Sequence, residues 1–155
     1  MLQRVGKTDE RIQSVINNLR LDDEIEMNME YGQDWKNTII ETSKNYNLEI
    51  VLDKNQKPIC LFGVVPAENN IGILILLATR DIEKRENFIT FARGAKEQIT
   101  RWQKEYSILC NRVYKKNSLA INWLKWLEFK FDNPLGFDES TYLFFYKGNL
   151  EDEKN

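Results

Sequence analysis

The stretch IGILILLATRDIEKRENFITFARGAKEQITRWQKEYSILCNRVY, residues 71–114, decides the fold. Its first nine residues, IGILILLAT, are almost wholly apolar and β-branched or leucine-rich, the composition of a central strand covered on both faces. Residues 81–106 then space Phe88, Phe91, Ala92, Ala95, Ile99 and Trp102 three and four apart, which predicts one long amphipathic helix. SILCNRVY, residues 107–114, returns to the text of a buried strand. Two strands joined through a helix of that length predict a parallel crossover.

Upstream, LEIVLD (residues 48–53) and PICLFGVV (58–65) are two more strands, the turn-like DKNQK standing between them and PAENN between the second and IGILILLAT. With residues 71–79 they predict a three-stranded antiparallel meander. Before the meander lie three predicted helices. The first has Thr8 as N-cap, Asp9 and Glu10 in its first turn and Ile12, Val15, Ile16 and Leu19 on a face that should dock on a sheet. The second repeats Leu21, Ile25 and Met29 four residues apart behind a strongly acidic outer side, and the third runs from Asp34 as cap through Trp35, Ile39 and Ile40 to Lys44. No strand is predicted before Thr8. Downstream, Asn117 caps a helix reaching Trp126 and Leu127, and residues 129–148 supply two short strands around a Pro/Gly/Asp turn.

Composition narrows the chemistry. At 155 residues, 30% charged and 42% hydrophobic, the chain reads as one globular domain over residues 1–148 with an acidic tail at 149–155. A net charge of −2 gives no bulk attraction to nucleic acid or an anionic membrane. The charged first residues do not make a secretory leader, and no apolar run approaches the length of a membrane span. With no histidine, Ser-His and Cys-His mechanisms are excluded. The two cysteines, Cys60 and Cys110, sit in strand text and read as buried free thiols rather than as a disulfide, nucleophile or metal site.

Helices, a meander, a long helix, a strand, a shorter helix and a final pair of strands: this order resembles the acetyltransferase fold of the GNAT superfamily without its first strand. The implied class is α/β, a mixed sheet with an antiparallel meander and flanking helices. Asn117, Ala120, Trp123, Leu124, Leu127, Glu128 and Phe129 fall on the spacing of the superfamily's motif after its fifth strand. Three positions depart from the pattern. Leu124 stands where the superfamily usually has the tyrosine that protonates the departing thiolate, and a hydrocarbon donates no proton. Glu128 stands at a usual glycine. The junction LLATRDIEKREN, where the pyrophosphate loop of acetyl-coenzyme A should lie, contains no glycine, and Asp81 and Glu83 bring negative charge there.

A narrower resemblance covers residues 71–148. LLATRD, the helix ENFITFARGAKEQITRWQKEY, Asn117 with Trp123, Leu124 and Lys125, and YLFFYKG ending at Gly148 are similar to GNAT-like proteins of short-tailed bacteriophages, including the internal virion protein A family. That resemblance implies a non-catalytic role in virion assembly or inside the particle through contacts with other phage proteins. It places the chain in the host cytoplasm during assembly or in the virion, with no cofactor, no metal and no catalytic residue; self-association is left open. The alternative is a divergent acetyl-coenzyme A-dependent N-acetyltransferase, with Arg80, Lys84 and Arg85 serving the phosphates, Asn117 on the cofactor and a tyrosine as acid.

Arg101, Lys104, Arg112, Lys115, Lys116 and Lys125 interleave with Trp102, Tyr106, Tyr114, Trp123 and Trp126. Such interleaving suits single-stranded nucleic acid. Core packing accounts better for the aromatics, Trp102 by its place on the long helix's stripe, Trp123 and Trp126 by a face shared with Ala120. The basic residues then remain as a candidate surface for an acidic partner protein, and nucleic acid is disfavoured.

Overall fold

A computed structural model describes residues 3–148; the acidic tail expected at residues 149–155 lies outside the described residues. Seven strands form one mixed sheet in the order β1 (Gln3–Gly6), β2 (Leu48–Leu52), β3 (Pro58–Ala67), β4 (Ile71–Ala78), β5 (Ile108–Tyr114), β7 (Tyr142–Gly148), β6 (Lys130–Phe131). Five helices accompany it: α1 (Asp9–Ile16), α2 (Leu21–Tyr31), α3 (Trp35–Asn45), α4 (Arg85–Glu105) and α5 (Ser118–Trp126). The order of the elements agrees with the α/β reading, with one addition. Gln3–Gly6 pairs antiparallel with β2 as an edge strand, so the sheet does have a first strand. Four residues carrying a single apolar side chain, Val5, are too short to show the period of a strand.

Chain contacts divide the molecule into two compact units. The first comprises the chain up to Val64 together with Ile75–Phe91. Here Thr8 caps α1 as expected, its Oγ1 accepting from the Arg11 amide at 3.3 Å, and Ile12, Val15, Ile16 and Leu19 are all buried. Each such side chain contributes about 1.5–3 kcal/mol by leaving water. Phe62 meets Phe91 edge to face at 5.2 Å. The β2–β3 turn is closed by Asp53, whose Oδ1 accepts from the amides of Asn55 and Lys57 at 2.8 and 3.0 Å.

Three expectations for this unit fail. Asp34 does not cap α3; its carboxylate instead accepts from the Asn37 side chain at 2.7 Å. The long helix begins at Arg85 rather than Asp81, because Arg80–Glu83 forms a separate 3-10 turn. The stripe of α2 is also inverted: Leu21 and Met29 are exposed and the buried residue of the helix is Asp23.

The second unit comprises Val65–Leu74 and the chain from Ala92 onward. The predicted crossover is present, β4 running parallel to β5 from Ile71↔Ile108 to Ile73↔Cys110. Past the last of these pairs the Asn111 side chain donates to the Leu74 carbonyl at 2.8 Å. β5 continues against β7 through seven antiparallel pairs, Ile108↔Gly148 to Tyr114↔Tyr142. The central strand β4 is less covered than its apolar text predicts: Ile71, Ile73, Ile75 and Leu76 are only half-buried, and the in-out alternation breaks at Leu76. Trp123 is buried and Trp102 half-buried, but Trp126 is 49% exposed under the Lys96 ammonium, 5.5 Å from its ring. The shared helix face expected for Trp123 and Trp126 therefore divides between core and solvent.

The end of α5 gives the glycine position a physical meaning. The Phe129 amide donates to the Leu124 carbonyl at 3.0 Å and the Glu128 amide to that of Lys125 at 2.9 Å, the paired bonds of a Schellman cap. That cap needs a left-handed residue, and Glu128 adopts φ 67°. A side chain there costs about 1 kcal/mol or more, whereas glycine sits without strain. Glu128→Gly is therefore expected to stabilise the chain by about 0.5–1 kcal/mol, after allowing for the freer unfolded chain. A rise of a few degrees in the calorimetric melting temperature checks it; a fall contradicts the cap.

Candidate anion-binding site

The junction between β4 and α4 is built from the first unit alone. At the end of β4 the Thr79 amide donates to the Ile59 carbonyl at 2.9 Å, and the Thr79 hydroxyl accepts from the Asp81 amide at 3.3 Å, opening the 3-10 turn. The buried Asn87 reaches back to the Asp81 carbonyl at 2.8 Å. These bonds shape the connection without glycine. Lys84, extended at φ −63° and ψ 125°, then precedes α4. A lysine side chain accepts nothing. Among the described residues no acceptor takes the amides of Arg85, Glu86 or Asn87, whereas α1 and α5 are capped by Thr8 and Asn117.

The acids of the junction are not the free negative charge that the sequence suggests. Asp81 pairs with Lys57 at 2.9 Å and with Lys84 at 3.1 Å. Glu83 accepts from Arg20 Nε at 3.1 Å, and Glu86 lies 3.6 Å from Lys54. The Lys57 ammonium, then that of Lys84, hold the Asp81 carboxyl below its ordinary range. The bond to Asp81 raises Lys57. A depressed acid stabilises the fold above the ordinary carboxylate range and stops doing so as pH falls through its lowered value. Arg80 and Arg85 are exposed and make no ion pair among the described residues. The arrangement leaves two free guanidinium groups beside an uncapped helix N-terminus, which together can hold an anion.

Arg20 is the residue here that sequence reasoning missed. It is 5% exposed, and its guanidinium also meets Asp23 at 3.0 Å and Asp22 at 3.7 Å. Asp23 in turn accepts from the Ala78 amide at 2.9 Å, and the Arg20 amide donates to the Ala78 carbonyl at 2.9 Å. The only signal in the sequence was an Arg–Asp pair at the i,i+3 spacing. Its partners Ala78 and Glu83 lie about sixty residues on.

The remaining candidates belong to the second unit. Asn117 is buried, and its Oδ1 accepts from the Ala120 amide at 3.3 Å, which is the cap that the sequence favours. Arg101, Lys104, Arg112, Lys115, Lys116 and Lys125 are all exposed. The Arg112 guanidinium lies over the Tyr142 ring at 4.3 Å. Leu124 is buried. Cys60, in the first unit, and Cys110 are both buried free thiols; burial pushes the Cys60 thiol well up, the charge of Asp23 adding to it. No helix among the described residues is long and apolar enough to cross a membrane.

No protein-family model matches the sequence. No curated protein matches it either. Solved structures do match the fold. A GNAT-family acetyltransferase from Bacillus anthracis superposes with a TM-score of 0.68 at 9% identity, covering 94% of this chain and 93% of its own. Spermidine N-acetyltransferase from Vibrio cholerae, solved with CoA and spermine, gives 0.68 at 11% identity over 94% of each chain. A GNAT-family acetyltransferase from Staphylococcus aureus gives 0.62 at 14% identity, over 95% and 98%. At such identities the likeness is one of fold, and the fold of this chain is that of the GNAT acetyltransferases.

Proposed function

We propose that the chain is a divergent acyl-coenzyme A-dependent N-acyltransferase that seats the cofactor's pyrophosphate at the start of α4. The observation that carries this reading is the uncapped N-terminus of α4 beside the free Arg80 and Arg85, where every neighbouring acid already has a cation. The amides of Arg85, Glu86 and Asn87 and the two guanidinium groups would take the phosphate oxygens. The two guanidinium groups compensate for the missing glycines, because charge-assisted bonds from side chains need no close backbone approach. Bound there, acetyl-coenzyme A would supply the thioester; the chain's own part at this site is to hold and orient it. Its GNAT-fold neighbours include an enzyme solved with CoA.

Titration calorimetry with acetyl-coenzyme A tests the reading. Micromolar binding is expected, weakened at least about tenfold by Arg80→Ala with Arg85→Ala and unaffected by Lys130→Ala, far from the site in sequence. Absence of binding at millimolar cofactor sinks it.

A second reading, a non-catalytic protein of a short-tailed bacteriophage acting in virion assembly through protein contacts, is favoured by one observation. Leu124 is buried and aliphatic where the resemblance asks for a proton donor. Cofactor binding without transfer to any amine acceptor would support that reading, and the exposed lysines and arginines from Arg101 to Lys125 would then be its candidate surface for an acidic partner.

A further inference from the structure

A helix on a protein surface ordinarily turns its apolar stripe inward. α2 does the opposite. At about 100° per residue, Leu21, Ile25 and Met29 fall within an arc of about 80°, and Asp23 lies about 160° round from Ile25. Asp23 is the residue turned in, 4% exposed, whereas Leu21 is 66% and Met29 42% exposed, with Ile25 half-buried. The orientation is held by the bonds from Asp23 to the Arg20 guanidinium and the Ala78 amide. A buried ion pair is a weak source of stability and a strong source of register. Here the register it sets leaves Leu21 and Met29 in water.

The stripe is edged by acid. Glu24 flanks it on one side, Glu26 and Asp22, the latter also 3.7 Å from Arg20, on the other, and no base lies within Leu21–Tyr31. We propose that the outward face of α2 is a docking surface for a cationic amphipathic segment of another protein, with apolar side chains on Leu21, Ile25 and Met29 and lysine or arginine against the flanking acids. A second copy of this chain fits the face poorly, since it would set Glu24 and the other flanking acids against their own kind, and an anionic lipid surface is repelled in the same way. A basic helix bearing an apolar stripe matches both features at once.

A fluorescein-labelled helical peptide of leucine and lysine, its leucines at helical spacing, is the probe, titrated with the full chain and followed by anisotropy. Saturable binding is expected. Leu21→Ser with Met29→Ser should weaken it at least about tenfold while leaving the melting temperature near that of the wild type, since both side chains are exposed. Glu24→Gln should reduce the dependence of the affinity on salt. Equal affinity in the Leu21→Ser/Met29→Ser variant would overturn the proposal. So would a wild-type dimer in sedimentation that the same two substitutions dissolve, which would give the face to a second copy.

Discussion

Replacing Asp23 by alanine is expected to destabilise the chain by about 3–5 kcal/mol, toward the lower end of that range. Asp23 is 4% exposed, and its carboxylate satisfies two buried donors, Arg20 Nη1 at 3.0 Å and the Ala78 amide at 2.9 Å. Its removal leaves a buried cation short of a partner and a buried amide without an acceptor. Asp22 and Glu83 remain within reach of the guanidinium and soften the loss. At two to four degrees per kcal/mol for a chain of this size, the melting temperature should fall by roughly 10 °C. Replacing the pair together, Arg20→Met with Asp23→Leu, should recover part of the difference, because an apolar pair leaves no unpaired charge while the Ala78 amide still lacks its acceptor. Urea unfolding followed by tryptophan fluorescence measures both. A loss below about 1 kcal/mol for Asp23→Ala would show that the pair does not hold α2.

The second large effect comes from the smallest side chain in the meander. Gly63 pairs with Leu48 across β2 and β3. A Cβ at Gly63 would stand 3.0 Å from both the Asn47 carbonyl oxygen and Leu48 Cα, and closer still to the Leu48 Cδ2 methyl. The methyl has little room to turn away, since Leu48 is buried, and the two backbone atoms can yield only by moving the strand. Gly63→Ala should therefore cost about 1–3 kcal/mol, despite the gain of roughly 0.5–1 kcal/mol that alanine brings to an unhindered strand or helix position. Gly94, inside α4, has nothing within 4 Å of the place a Cβ would take and supplies the opposite sign: Gly94→Ala should stabilise by about 0.5–1 kcal/mol. Melting temperatures that move the same way in both variants would refute the steric account.

Most elements were legible because each is long and carries a clean period. The meander, the crossover through α4 and the Asn117 cap follow from local text. β1 escaped because four residues show no period. The outward stripe of α2 escaped because its spacing is the same whichever way the helix faces; a bond between Asp23 and the Ala78 amide, 55 residues away, selects the face. The junction acids are legible as residues but not as paired charge, since their cations Lys54, Lys57 and Arg20 come from elements remote in sequence.

The sequence by itself determined the order of the elements from α1 onward, the helix caps at Thr8 and Asn117 and the absence of glycine from the junction after β4, all of which depend on neighbours a few residues apart. The tertiary structure alone decided the electrostatics of the junction and the facing of α2. Both rest on contacts between distant segments, Lys54 and Lys57 with the junction acids and the Ala78 amide with Asp23, which form only where the chain's path brings the partners within about 3–4 Å.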